Sequence, residues 1–317
     1  MQRRGPETVV TVDCHYRAPE SAAAYLVVEE GHIAIVDTNT ALAVPVLLRA
    51  VEEQGLTPDC VRYVVVTHAH LDHCGGAAEL LKHCPKAKVL CHPRAERHLI
   101  DPTRLVESAT HVYGREVFET LYGNVAPIRA SRVKAVEDGQ RLRFGKRTFL
   151  FLHTPGHSKH HIAMIDLATG SAFTGDAFGM HYPSIQHGNK PYIYFSSPPT
   201  DFDPEAARVS VRRVLDSGTE RLCVSHFGVV TDVAAAGDVL LQSIDALEEA
   251  MRGGMTSDLE GDDLLSFLQQ RVQAAAMRLF EECGIEPTPS DLAHVDRDVL
   301  MNARGIAYRI EQSREVK

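Results

Sequence analysis

The stretch Val64-Val65-Val66-Thr67-His68-Ala69-His70-Leu71-Asp72-His73-Cys74-Gly75-Gly76 places three imidazoles and a carboxylate directly after an apolar, β-branched run. The run reads as a buried strand, and the paired glycines admit a new helix. Alternate side chains of a strand point the same way, so His68 and His70 can converge on one cation. The turn that follows swings Asp72 and His73 onto a neighbouring one. Neutral imidazole nitrogen and carboxylate oxygen suit zinc, iron or manganese. The competing account is a strand-to-helix loop capped by four polar residues. It is disfavoured because buried imidazoles and carboxylates without partners are costly.

Three later segments carry the same kinds of side chain: Thr154-Pro155-Gly156-His157-Ser158, Phe173-Thr174-Gly175-Asp176 and Ser225-His226-Phe227-Gly228. Together with the H-x-H-x-D-H stretch they resemble, in order, the metal-ligand motifs of the metallo-β-lactamase superfamily, from about Val9 to about Val230. The runs Cys91-His92-Pro93-Arg94, His98-Leu99-Ile100-Asp101-Pro102 and Gly175-Asp176-Ala177-Phe178-Gly179 are similar to a prokaryotic subgroup of hydrolase-like members. The resemblance implies an α/β fold, a four-layer αββα sandwich with the site along one edge. It implies that His68, His70 and His157 bind one metal, that Asp72, His73 and His226 bind a second, and that Asp176 bridges them. Two cations about 3.5–4 Å apart can hold a bridging hydroxide, lower its pKa towards neutrality and polarise a carbonyl or phosphoryl oxygen. By the same analogy Asp72 is the catalytic residue, orienting the hydroxide and passing its proton to the leaving group.

The implied cofactors are two divalent ions, zinc first, with iron or manganese as the other fits. The implied reaction is hydrolysis of an ester, thioester, lactone or amide-like bond in a small-molecule substrate. The alternative is an iron-dependent oxidation, because persulfide dioxygenases keep a similar H-x-H-x-D-H stretch, whereas flavodiiron proteins typically have Glu where His70 stands. A binding protein that retains the fold without catalysis is a third reading, and the complete ligand set argues against it.

Residues beside these motifs have two readings each. Asp37, in Asp37-Thr38-Asn39, either sits beneath the metals or caps a turn. The superfamily commonly has Gly where Asn39 stands, a departure that Asn tolerates because it enters left-handed backbone conformations readily. His160 and His161 either hydrogen-bond a ligand or the substrate or simply begin a strand. His153 reads as a partner of a ligand rather than a ligand. Cys74 reads as a buried, inert thiol ahead of a sulfur contact or a redox-sensitive group. Ser158 and Ser225 lack any triad context and are not nucleophiles.

The elements that must position these groups follow from periodicity. Val9–Val12, Ala23–Val28 and His32–Val36 read as strands, the last two joined as a hairpin across Glu29-Glu30-Gly31. Val44–Gln54 reads as a helix with Pro45 in its first turn, followed by the strand Tyr63–Val66. Gly76–Cys84 (helix), Lys88–Cys91 (strand), Pro93–Ile100 (short helix) and Arg104–Tyr122 (long helix) continue the alternation. Val133–Val136, Thr148–Leu152, Ile162–Ile165 and Ser171–Thr174 are the next strands, and a helix from Asp203-Pro204 to Gly218 leads into the strand Arg221–Val224. Between them, Phe178 to Pro199 form a long loop. His181, Tyr182, Tyr192 and Tyr194 there either contact substrate or pack their rings against the domain.

Beyond Asp232 the pattern becomes helical, at Leu240–Met251, Leu264–Phe280 and Leu292–Ile310. This predicts a metallo-β-lactamase-like domain over residues 1–232 and a helical C-terminal extension over 233–317. The extension either packs on its own domain, covers the pocket or forms a homodimer contact. The formal charge of -9, from 33 basic and 42 acidic residues, provides no electrostatic footprint for nucleic acid or an anionic membrane. The seven cysteines form no C-x-x-C pair and point to a reducing cytoplasm. Met1 to Glu7 carry positive charge without an apolar run behind it, so they do not read as a secretory signal.

Overall fold

A computed structural model describes residues 9–198 and 201–315. The N-terminal stretch read for a secretory signal, and Pro199 at the end of the variable loop, lie outside the described residues. In chain order the elements are β1 (Val9–Asp13), β2 (Ala23–Glu29), β3 (His32–Val36), α1 (Val44–Glu53), β4 (Val61–Val65), α2 (Leu71–Cys74), α3 (Ala77–His83), β5 (Lys88–Cys91), α4 (Pro93–Ile100), α5 (Thr103–Tyr113) and α6 (Arg115–Tyr122). There follow β6 (Val133–Ala135), β7 (Arg141–Phe144), β8 (Arg147–His153), β9 (Ile162–Asp166), β10 (Ser171–Met180), α7 (Pro204–Asp216), β11 (Arg221–His226), β12 (Gly228–Val230), α8 (Val233–Met255), α9 (Gly261–Glu282) and α10 (Pro289–Glu315).

Two six-stranded sheets result, ordered β1-β2-β3-β4-β5-β6 and β12-β11-β10-β9-β8-β7. The first is antiparallel through β1, β2 and β3 and parallel from β3 to β6. The β2–β3 hairpin turns on Glu30 and Gly31, with φ of 47° and 74°, the left-handed pair a two-residue hairpin loop requires. In the second sheet β7, β8, β9 and β10 pair antiparallel.

The long helix expected over 104–122 is two helices. Gly114 takes φ 79° and ψ 155°, a conformation closed to residues with a side chain, and interrupts an otherwise continuous apolar stripe. The strand expected to end at Thr174 runs on to Met180. Gly175 makes that passage possible, because a Cβ there would lie 2.5 Å from His161 Nε2. The strands β7 and β12 carry no sequence signal of their own, being short and set at or beside glycine.

The chain divides into two compact units that interleave in sequence. The first comprises residues 1–153, 160–175 and 222–229; the second comprises 154–159, 176–221 and 230–317. Asp232 is the N-cap of α8, its carboxylate accepting from Ala235 N at 3.2 Å.

In the first unit one core lies between the first sheet and the helices α1, α3, α4 and α6, built on Leu26, Ile33, Ile35, Leu47, Val64, Leu80 and Phe118. The second core lies between the sheets, where Tyr25, Val27, Val36 and Val65 meet Phe149, Phe151, Ile162 and Phe173. The unit is therefore helix, sheet, sheet, as an α/β sandwich requires. Arg147 ties the sheets at one end, donating to Glu29 at 2.8 Å and to Asp166. In the second unit α8, α9 and α10 pack on one another and α7 packs on α8. No helix among the described residues is long and apolar enough to cross a membrane.

His92 caps α4, its Nδ1 accepting from Arg94 N at 2.9 Å. Its ring lies 4.2 Å from that of His153, whose Nε2 donates to Val136 O at 2.9 Å. Burial, then the neighbouring His153, lowers the His92 pKa from 6.5 to about 4. The unfolded chain therefore binds this proton at higher pH than the folded one. Stability should fall as pH is lowered from 6.5 towards 4, with no further loss from this group below that. His92→Asn keeps the cap and removes the titration. Urea unfolding across that window should give a shallower pH dependence for the variant, and an unchanged slope would contradict this.

Candidate metal centre

In the first unit the ligand-bearing loop is built over a buried carboxylate. Asp37, at the end of β3, is 2% exposed and has φ 56°. It accepts from Thr67 N at 2.8 Å, from Thr67 Oγ1 at 2.9 Å, from His73 Nδ1 at 2.8 Å and from Ser225 Oγ at 2.9 Å. Asp37 thus lies beneath the loop rather than merely closing a turn. Its neighbours complete the support: Thr38 N donates to His73 O at 2.8 Å, and Asn39 Nδ2 donates to Asp72 O at 3.1 Å. Asn39 holds φ 52°, the left-handed conformation anticipated for it. Gly76 is needed where the loop turns into α3, because a Cβ there would lie 2.6 Å from Thr40 O.

On this support the candidate ligand side chains of the first unit face one another. His68 Nε2 is 2.9 Å from His70 Nδ1, and the His68 ring centre is 4.1 Å from that of His73. Asp72 Oδ2 lies 4.0 Å from His73 Nε2 and 3.7 Å from His226 Nε2. Asp72, His73 and His226 each offer a ligand atom within 4.8 Å of the others. Donors about 2.0–2.1 Å from a tetrahedral cation are roughly 3.4 Å apart. The two Asp72–imidazole separations are near that value and are too long for good hydrogen bonds.

The second unit holds His157 and Asp176 by similar means. His157 Nε2 is 3.4 Å from Asp176 Oδ2, and its Nδ1 donates to Ser196 O at 3.1 Å. Its loop is bolted to α7: Gly156 O accepts from Asp203 N at 2.9 Å, and Ser210 Oγ donates to Pro155 O at 2.6 Å. A Cβ on Gly156 would stand 2.4 Å from Ala207 Cα, so the close approach requires glycine. The imidazoles of His73, His157 and His226 share one pattern. Nδ1 donates to an oxygen, that of Asp37, Ser196 or, at 3.0 Å, Ser21, and Nε2 faces a carboxylate. Such a bond fixes the tautomer in which Nε2 carries the lone pair, as a divalent cation needs.

His160 and His161 support the ligand loop instead of merely starting a strand. His160 Nδ1 accepts from Ala69 N at 3.2 Å, and the His161 ring stacks 4.9 Å from that of His68. Burial, reinforced by Asp37 and Asp72, pushes the Cys74 thiol up, so it stays protonated and inert. Ser225 serves Asp37, to which its Oγ donates at 2.9 Å. In the second unit Tyr182, Tyr192 and Tyr194 are buried. Tyr182 donates to Asp298 Oδ2 at 3.1 Å, Tyr194 donates to the same oxygen, and Tyr192 stacks on Phe280 at 4.2 Å. Burial, then Asp298, pushes the Tyr182 phenol up, with Asp176 adding to the shift. His181 follows β10 and is 9% exposed. Thr67, Asn302, Asp298 and the carbonyls of Ser21 and Ser196 had no sequence signal, since a supporting hydroxyl, amide or main-chain oxygen has no characteristic spacing.

Residues 17–226 match the family model described as the metallo-beta-lactamase superfamily. Among curated proteins, the metallo-beta-lactamase fold-containing protein ST1585 of Sulfurisphaera tokodaii is 28% identical over 55% of this chain and 63% of its own. A hydroxyacylglutathione hydrolase of Xanthomonas axonopodis is 31% identical over 54% of this chain and 52% of its own. The chain thus spans less than two thirds of the length of these relatives. Among solved structures, the archaeal ST1585 from Sulfolobus tokodaii matches with a TM-score of 0.62 at 20% identity, covering 94% of this chain and 97% of that one. At that identity the likeness shows the fold alone.

Removing the Asp37 carboxylate leaves its buried donors unanswered. Asp37→Ala should lower the unfolding free energy by about 3–5 kcal/mol, measured by urea denaturation. A loss below about 1 kcal/mol, the range of an ordinary surface change, would show that the carboxylate does not organise the loop.

Proposed function

The chain belongs to the metallo-β-lactamase superfamily, and we propose that it is a metal-dependent hydrolase of an ester, thioester, lactone or amide-like bond in a small molecule. Two divalent cations are its cofactors, zinc first, with iron or manganese as the other fits. By the resemblance of the motifs, His68, His70 and His157 would hold one, Asp72, His73 and His226 would hold the second, and Asp176 would also serve as a ligand. The observation that carries this reading is the common setting of His73, His157 and His226, each with Nδ1 tied to oxygen and Nε2 turned towards a carboxylate. The similarity to a hydroxyacylglutathione hydrolase supports an acyl bond over a phosphodiester.

When bound, such a pair of cations supplies an acidified water and polarises the scissile carbonyl. The chain's own residues do the rest. Asp72 has its main chain held by Asn39, is partly exposed, and takes a proton from the nucleophile's side and returns it to the leaving group. His73 is kept in its ligand tautomer by Asp37. His181, which follows the Asp176 strand, forms part of the substrate wall. The free thiols, all buried except Cys60, fit a reducing cytoplasm.

Elemental analysis of the purified protein should find close to two zinc ions per chain, and the loaded protein should hydrolyse at least one member of an ester, thioester, lactone and β-lactam panel. Asp72→Ala should lower kcat/KM by about 10²–10⁴-fold, the usual contribution of a positioned acid–base group. One iron per chain with oxygen uptake and no hydrolysis would replace this reading with an oxidative one.

A further inference from the structure

His157 is oriented from outside its own loop. Its Nδ1 donates to the carbonyl of Ser196 at 3.1 Å, and Ser196 lies in irregular chain just beyond the isolated bridge between Met180 and Tyr194. An unsupported carbonyl in such a segment would not define an imidazole's tautomer. Here it is flanked by a clamp from α10. Asn302 Oδ1 accepts from Ser197 N at 2.7 Å, and Asn302 Nδ2 donates to Phe195 O at 3.1 Å, so one carboxamide grips the residue on each side of Ser196. Both partners are main-chain groups of fixed polarity, which sets the amide orientation.

The Ser197 hydroxyl is within reach of Asn302 Oδ1 at 3.0 Å and of its main-chain oxygen at 3.2 Å, and Ser243 Oγ on α8 accepts from Phe195 N at 2.9 Å. Asn302 is 5% exposed, so water does not compete for these bonds. A second feature points the same way. At Gly305, one turn further along α10, a Cβ would lie 1.9 Å from Ser197 O, so the helix approaches this segment as closely as main chain allows.

We propose that Asn302 is a positioning residue for the metal ligand His157: by immobilising Phe195–Ser197 it holds the Ser196 carbonyl on Nδ1 and leaves Nε2 for the cation. The inference rests on the ligand role proposed for His157. The ligand tautomer is thus imposed by a side chain far downstream, in a helix that carries no ligand itself. An asparagine that only stabilised α10 would leave the imidazole unaffected.

The test uses the zinc-loaded, full-length protein labelled with ¹⁵N. Long-range proton–nitrogen correlation spectra report the Nδ1–H of His157, assigned by its loss in His157→Gln, and competition with a chromophoric chelator reports zinc affinity. In the wild type the Nδ1–H resonance should be downfield and slow to exchange with solvent. Asn302→Ala should broaden or abolish it and weaken one zinc equivalent by about 10–100-fold, the range for supporting partners of metal ligands. Ser197→Ala, which removes only the hydroxyl contacts, should resemble the wild type. If Asn302→Ala does not fold, Asn302→Asp carries the same expectation, because it keeps the acceptor for Ser197 N and loses the donor to Phe195 O. A folded variant with an unchanged Nδ1–H signal and unchanged zinc affinity overturns the proposal and leaves the ligand assignment standing. Both zinc equivalents retained at full affinity in His157→Gln would overturn the assignment itself.

Discussion

One buried carboxylate governs the geometry of the ligand loop. Asp37 stands almost without solvent and accepts from donors on three stretches of chain: Thr67 leaving β4, His73 in α2 and Ser225 at the end of β11. A carboxylate in that position is tolerable only if its oxygens are satisfied. Hence the first sheet cannot settle without drawing the H-x-H-x-D-H loop over the end of β3, nor β11 without offering Ser225. Surface ion pairs are weak by comparison. Arg208 meets Asp245 at 2.7 Å, but the aspartate is 64% exposed, and such contacts contribute about 0–1 kcal/mol. The buried network decides where the candidate ligands of this loop stand.

Much of this was legible in sequence, for identifiable reasons. The strands β3, β5 and β9 announce themselves by apolar β-branched runs between turns, and α4 and α7 by Pro in the first turn behind a capping residue. The ligand candidates stood out because His and Asp clustered at strand ends have few structural uses. Where reading failed, a local rule was overruled by one residue. Gly114 split a helix whose apolar spacing was continuous, and Gly175 let β10 pass a point that looked like a strand end. The aromatics of the 181–194 segment were open between substrate contact and packing. Their rings are buried, and two of their hydroxyls are committed to Asp298, a pairing more than a hundred residues apart that no window on the sequence contains.

The least visible features are the acceptors behind the imidazoles. Ser21 O, Ser196 O and the Asp37 carboxylate perform one task, fixing which nitrogen carries the proton, yet two of the three are main-chain atoms that any residue type would supply. What sequence does encode is the means of holding them. Ser21 is close to the hairpin strands of the first sheet, and Ser196 is gripped by Asn302. The identity of the candidate ligands is thus written locally, while the orientation of their rings is distributed over remote positions.

The interleaving of the two compact units has a further meaning. The chain passes from one to the other after residues 153, 159, 175, 221 and 229. Neither unit can be released by a single nick or moved to another protein as a contiguous cassette. A single crossover at any one of these junctions therefore divides at least one unit between two sources.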